Sequence, residues 1–196
     1  EFEYVDRSTE SSRYLEHGWP TSLCRWHSHE EFELHLIVET HGKAFVGDYI
    51  GEFGPGALFL VGPHVPHNWV TDEFGETSEV ALRDMLVQFN HESINQMTAA
   101  FPEFRELDHL LTRAVGGVEF LKFDRDLATR HFSEIRAATG ADRILKFLSL
   151  LGAWSYGNAF EFQQLIPGSH SRKVKRRIFI EVLAYYLPVS IRKISV

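Results

Sequence analysis

The feature that most constrains the fold is a change of hydrophobic period near residue 90. Before it, apolar residues alternate or form short runs broken by Gly and Pro. These runs are Ser22–Trp26, Phe32–Val38, Lys43–Gly47, Ala57–Val61, His67–Val70 and Ser78–Phe89. Gly51, Gly54-Pro55-Gly56 and Gly62-Pro63 punctuate them, a spacing that predicts an all-β barrel or sandwich over residues 1–89. His41-Gly42 is placed for a hairpin, because glycine accepts positive φ without penalty. After residue 90 the period becomes helical, so the chain as a whole reads as α+β.

Three helices are expected between residues 90 and 166. Phe104, Leu107, Leu110, Leu111 and Ala114 share one face, with Gly116-Gly117 as a stop. A second helix begins near Asp124, carries Leu127, Ala128, His131, Phe132 and Ile135, and ends at Gly140. The third, Ile144–Trp154, is apolar almost all round and must be covered on several sides, by its own fold or by a second copy of the chain. Pro167-Gly168-Ser169 then breaks the pattern before a last segment with Val174, Ile178, Val182, Leu183 and Tyr186 at helical spacing.

Charge is divided along the same lines. Residues 171–196 carry seven Lys and Arg against Glu181 alone, whereas the other residues carry 13 bases and 26 acids, for a net −7 overall. An acidic body is a poor nucleic-acid surface, while a basic end suits either phosphates or a solvated helix face. No apolar run approaches the length of a membrane span, and the N-terminal residues Glu1-Phe2-Glu3-Tyr4 show no signal-peptide pattern. Cys24 is the single cysteine, which excludes an internal disulfide, favours a cytoplasmic setting, and packs most simply as a small apolar residue.

The chemistry concentrates in Trp26-His27-Ser28-His29-Glu30-Glu31-Phe32-Glu33-Leu34-His35. On an extended strand His27, His29, Glu31, Glu33 and His35 would share one face, with Phe32, Leu34 and Leu36 on the other. Imidazole and carboxylate converging in this way are ligands for Zn, Ni, Fe or Mn. A second cluster, Pro55-Gly56 followed by Leu58–Val61 and then His67, brings a third imidazole back toward the first set. The alternative is a polar pocket whose His and Glu satisfy one another or a small ligand. Glu31 and His35 are expected to support the ligands from behind or to replace one of them. His17, His41, His91 and His109 lack a spaced partner and read as surface or loop residues, and His64, three before His67, reads as a loop residue with a pocket role as the alternative. Trp26, Phe45, Phe59 and Trp69 could line a pocket, but aromatics in a small barrel are more often core, and none is assigned as a ligand contact.

Two His flanking one residue, then Glu33, then Pro55-Gly56 and a single His67, resemble the two motifs of the cupin family, a double-stranded β-helix barrel or jelly roll. Both gaps run longer than in cupin enzymes: Gly42 falls late after Glu33, and His67 falls late after Pro55-Gly56. With Gly47-Asp48, the run Pro55–Leu60 and the run Gly62–Trp69, the stretch looks like the sensor domain of AraC-type transcriptional regulators. The helical region is similar to that family's connecting segment, through Phe101–Phe104, Leu110–Ala114 and Arg143–Leu148. The resemblance implies a cupin-like sensor barrel over 1–89, a helical linker and dimerisation region over 90–166, and the start of a truncated helix-turn-helix unit over 167–196. It implies a small effector, possibly sugar-like in chemistry, and a divalent metal on His27, His29, Glu33 and His67. It also implies a homodimer, with DNA contacted only through a C-terminal helix-turn-helix unit missing from this sequence. On this reading the chain is not an enzyme. The alternative is a metal-dependent cupin dioxygenase or isomerase using the same four residues, and a third reading is a binding module without regulation.

Overall fold

The computed structural model describes residues 2, 10–21, 25–72, 79–155 and 161–166. Nine strands and four helices are formed among them: β1 (Ser12–Trp19), β2 (Phe32–Ile37), β3 (Gly42–Val46), β4 (Tyr49–Phe53), β5 (Leu58–Val61), β6 (His67–Thr71), β7 (Val80–Phe89), α1 (His91–Ala100), α2 (Arg105–Ala114), β8 (Val118–Lys122), α3 (Arg125–Ala137), α4 (Gly140–Ser155) and β9 (Glu161–Gln164). One antiparallel sheet has the order β1-β7-β2-β5-β8-β9 and a second the order β4-β3-β6. The fold is therefore α+β, with antiparallel sheets and no closed barrel among the described residues.

Strand alternation divides the larger sheet into two unlike faces. Phe32, Leu34 and Leu36 of β2, Leu58 and Leu60 of β5, and Met85, Val87 and Phe89 of β7 point to one side. There they meet Leu107 and Leu111 of α2, Phe132 and Ile135 of α3, and Phe147 and Leu150 of α4 in one continuous core. The opposite face carries Ile37, Phe59 and Val61, which pack against Ala44, Val46, Phe53 and Trp69 of the smaller sheet. Glu33 and His35 lie on this second face because they occupy the odd positions of β2. The polar residues are thus held between two sheets, while the helices seal the apolar side.

The local signals explain most helix limits. Asp124 caps α3 by accepting a hydrogen bond from the Leu127 N–H at 2.9 Å, and Asn90 caps α1 in the same way through Ser93 at 3.1 Å. Gly140, expected to close the second helix, instead opens α4 with φ of +54°, and α3 stops at Ala137. The expected His41-Gly42 hairpin is also corrected, because β2 and β3 belong to different sheets. Gly42 is needed there for another reason: a Cβ on it would lie 2.0 Å from the Val70 carbonyl oxygen. The hairpin is at Gly47-Asp48, where Gly47 has φ of +58° and joins Val46 to its partner Tyr49.

The periodicity reading missed β1, β4, β8, β9 and α1. Two of these fall inside the segment expected to be helical: β8 pairs with β5 and β9 pairs with β8, so residues 118–122 and 161–164 extend the larger sheet. Of the expected run Ser22–Trp26, residues 22–24, and with them Cys24, lie outside the described residues, as does the basic segment from 167 onward.

Helix α4 shows how its apolar circumference is used. Phe147, Leu150 and Leu151 are fully buried in the helix–sheet core, whereas Leu145 is 65% exposed. Replacing Phe147 with Ala is therefore expected to lower stability by about 3–5 kcal/mol in denaturant unfolding. Replacing Leu145 with Ala should stay within about 0.5 kcal/mol. Equal effects at the two positions would contradict this burial.

Candidate metal centre

The space between the sheets receives side chains from three pieces of chain. Glu33 projects from β2 and His67 from the first position of β6. His27 and His29 come from the segment just before β2, which runs beside β6 rather than continuing the β2 strand. The His27 N–H donates to the His67 carbonyl at 3.2 Å, the His67 N–H donates back at 2.9 Å, and the His64 N–H donates to the His29 carbonyl at 2.7 Å. The expectation that one extended strand carries His27, His29, Glu31, Glu33 and His35 is thus corrected. A bridge to the second sheet positions the first two histidines, and the register of β2 positions Glu33 and His35.

One ligand atom from each of His27, His29, Glu33 and His67 lies within 4.8 Å of the others. His29, Glu33 and His67 are buried and His27 is half-buried. The hydrogen bonds on the far side of each ring fix what the near side offers. Nδ1 of His27 faces the Arg25 carbonyl at 2.8 Å, Nδ1 of His29 faces the Glu31 carbonyl at 3.0 Å, and Nδ1 of His67 faces the Val65 carbonyl at 2.8 Å. A carbonyl oxygen only accepts, so each Nδ1 carries a proton, and each ring when neutral presents an Nε2 lone pair.

Those lone pairs meet a carboxylate. His29 Nε2 is 3.1 Å from Glu33 Oε2, and His67 Nε2 is 3.6 Å from Glu33 Oε1. His67 Nε2 is buried with no hydrogen-bond partner among the described residues. Acceptors turned toward one another in a buried space repel unless protons or a cation lie between them. Three imidazole nitrogens and one carboxylate are a donor set for a borderline divalent ion such as Zn, Ni, Fe or Mn. The residues therefore fit a metal, which would neutralise Glu33 and occupy the orphaned nitrogen.

The electrostatics agree with deprotonated ligands. Burial, followed by the neighbouring His67, lowers the His27 pKa. Burial opposes ionisation of Glu33, but His67, His29 and His35, when they turn protons toward it, outweigh burial and hold the carboxyl well below its usual range; a cation takes over that role once the Nε2 atoms of His29 and His67 are bare. A metal site needs this combination of a neutral imidazole and an ionised carboxylate near pH 7.

Glu33 is itself held at both oxygens. Gln88 of β7, its cross-strand neighbour, donates to Oε2 at 3.2 Å, and His35 Nδ1 donates to Oε1 at 2.8 Å. His35 stacks on Trp69 with ring centroids 4.0 Å apart and an interplanar angle of 7°, and its Nε2 lies 3.4 Å from Asp84 Oδ2. Burial alone would depress His35, but Asp84 and Glu33 overcome it and push its pKa up to about 9. Asp84 is fully buried and also receives His17 Nδ1 at 2.9 Å and Arg83 Nε at 2.6 Å. Arg83 in turn donates to the Trp69 carbonyl at 3.2 Å, which ties the network back to the smaller sheet.

Of the two supporting residues expected from the sequence, His35 is thus set against Glu33 rather than beside the other imidazoles. Glu31 lies behind His29, its backbone carbonyl on Nδ1 and its Oε2 3.9 Å from that same nitrogen. Gln88, Asp84, Arg83 and His17 were missed. For Asp84 and Gln88 the signal is alternation in β7, which puts them on the face shared with Glu33 once the β2–β7 register is known.

No family model matches the chain, and no curated protein matches it. Among solved structures it is similar to ToxT from Vibrio cholerae O395 bound to (E)-4-(8-methylnaphthalen-1-yl)but-3-enoic acid. The superposition has a TM-score of 0.42 and 10% sequence identity, and it covers 92% of this chain and 69% of that chain.

Proposed function

We propose that the chain is the ligand-sensing, dimerising regulatory part of an AraC-type transcriptional regulator, with a cupin-like sensor that binds a small effector beside a divalent metal. The observation that carries the metal is the convergence of His27, His29, Glu33 and His67 with their donor atoms within 4.8 Å. Their order in sequence, with Pro55-Gly56 before His67, supports the cupin-like assignment.

In this reading the two sheets sequester the metal and the effector, and the helical layer on the far face of the larger sheet supplies the regulatory surface. Ligand binding works by favouring one arrangement of that surface over another. A second copy of the chain is the expected partner. DNA is contacted through a helix-turn-helix unit that begins in the basic segment 167–196, whose seven Lys and Arg face a single acid. The chain works in the cytoplasm and has no catalytic role; among its described residues, no helix is long and apolar enough to cross a membrane.

The metal would supply a fixed positive charge and open coordination positions for an effector. His29 and His67 would hold it through Nε2, and Glu33 would balance its charge.

The test is genetic. A chromosomal allele with His29→Ala and Glu33→Ala should reproduce the transcript changes caused by deleting the gene. A wild-type transcript profile in that allele, with the protein present at normal level, would overturn the regulatory reading. Oxygen uptake by the Fe(II)-loaded protein would instead favour a cupin enzyme.

A further inference from the structure

The four candidate ligands are not held with equal firmness. Glu33 sits within ladders on both sides, opposite Val61 of β5 and Gln88 of β7, and His67 lies in β6 opposite Val46 of β3. His27 and His29 belong to no strand. Among the described residues, the segment 25–29 reaches β6 through the isolated His27–His67 bridge, and the His64 N–H donates to its His29 carbonyl. Trp26 adds an edge-on ring contact with Phe45 at 6.2 Å, and Phe2 bridges Ser28. Burial follows the same order: His29, Glu33 and His67 are buried, His27 is half-buried and Arg25 is exposed.

Without a cation, the side chains of this segment work against its place on β6. The Nδ1 atoms of His27, His29 and His67 are spent on carbonyls, so the neutral rings turn Nε2 lone pairs toward one another and toward Glu33. Ring centroids are 4.3 Å apart for His27 and His67, 5.1 Å for His29 and His67, and 5.7 Å for His27 and His29. Crowded acceptors in a buried space are unfavourable. A segment held by few backbone bonds, with no ladder behind it, opens locally at far less cost than the whole fold. A divalent ion reverses the balance, because it draws the four donor groups to one point. It then ties two ligands on the segment to Glu33 of the larger sheet and His67 of the smaller.

We infer that residues 25–29 form a metal-dependent strap: ion binding fastens the segment across the edge of β6, and ion loss releases it while both sheets stay folded. This rests on the metal reading above and extends it to how occupancy is displayed on the surface. β6 is an outer strand of the smaller sheet, so release uncovers its edge at His67, and an uncovered strand edge is a template for new pairing. The helices pack on the other face of the larger sheet, so this occupancy-dependent surface is separate from the helical layer.

The experiment is hydrogen–deuterium exchange on the full chain, with Zn(II) bound and after chelation. Mass spectrometry follows peptides covering residues 25–29 and, as references, β5 and β7, while elemental analysis of the same samples measures zinc. Zinc should slow exchange in 25–29 at least about tenfold, with less than about twofold change in β5 and β7. Trypsin cleavage after the exposed Arg25 should slow in parallel. Zinc uptake without slower exchange in 25–29 would overturn the strap and leave the metal reading standing. Equal slowing in all three regions would also overturn it, since the ion would then hold the whole fold. Failure of wild type to take up zinc would overturn both readings together. In a chain carrying both His27→Ala and His29→Ala, zinc should leave exchange of 25–29 within about twofold of the chelated value. Protection that survives both substitutions would overturn the strap, and the wild-type comparison decides the matter even where that variant does not fold.

Discussion

Replacing His29 with alanine is expected to reduce bound divalent metal from near one ion per chain to below about 0.1, with the fold retained. Of His29 and His67, whose contacts to Glu33 are 3.1 and 3.6 Å, His29 is the closer to Glu33, and both rings are buried. Its loss leaves His27, Glu33 and His67, of which His27 is half-buried and the easiest for solvent to reach. Elemental analysis of purified protein, with circular dichroism as the check on folding, measures the effect; unchanged metal content in the variant would refute the site. The same site should lose its metal as pH falls from about 7 toward 5, because protons compete for the three Nε2 atoms. Glu33 contributes little to that loss, since its neighbours hold its pKa well below the ordinary carboxylate range. His27, whose pKa is lowered by burial and by His67, should resist taking up a proton.

The second large effect is on stability. Asp84→Ala is expected to cost about 3–5 kcal/mol, because it removes the carboxylate that pairs Arg83 and leaves that guanidinium buried without its charge partner. For a chain of this size that corresponds to a fall in melting temperature of roughly 6–20 °C. A shift smaller than about 2 °C would show that the Arg83–Asp84 pair is dispensable. The pH dependence has a definite sign on both limbs. Burial opposes ionisation of Asp84, yet His35, His17 and Arg83 lower its pKa, so its contribution is complete above about pH 4 and drains away in stronger acid. His35 is raised to about 9, so its contribution is complete below about pH 6.5 and is lost as pH rises through 9. The wild-type stability curve should therefore fall on the alkaline side between those values, and Asp84→Ala should flatten that limb by removing the first carboxylate that raises His35.

The legible part of the site lay in residue types whose chemistry is unusual at close spacing. His27, His29 and Glu33 declare themselves within seven positions, and a strand–turn–strand reading of Pro55-Gly56 through His67 brings the fourth member back. The supporting network was not legible for a physical reason. Gln88 and Asp84 lie more than 50 positions from Glu33 in sequence, and neither is chemically distinctive in a run such as Val80–Phe89. They become neighbours of Glu33 and His35 only through pairing of β7 with β2, which no local pattern specifies. His17 was passed over for the same reason: its partner Asp84 reaches it across the β1–β7 ladder.

The short strands show a second limit. β8 and β9 have five and four residues, too few for alternation to outweigh the helical periods on either side. They are strands because β5 offers an unpaired edge for β8, and β8 then offers one for β9. In the same way Gly42 looks like a turn glycine by composition, but position 42 requires glycine because the Val70 backbone comes too close for a side chain.

By itself the sequence determined the α+β character, the two-faced β2 strand, the starts of α2 and α3 to within a residue or so, and the four candidate metal ligands. These follow from interactions between residues close in the chain, where side-chain period and capping act directly on the backbone. Only the tertiary structure decided which sheet each strand joins, that His27 and His29 lean on β6, and which groups hold Glu33 from behind. Those outcomes depend on pairing between distant segments, and the energy that selects them comes from burying two faces of one sheet against different partners.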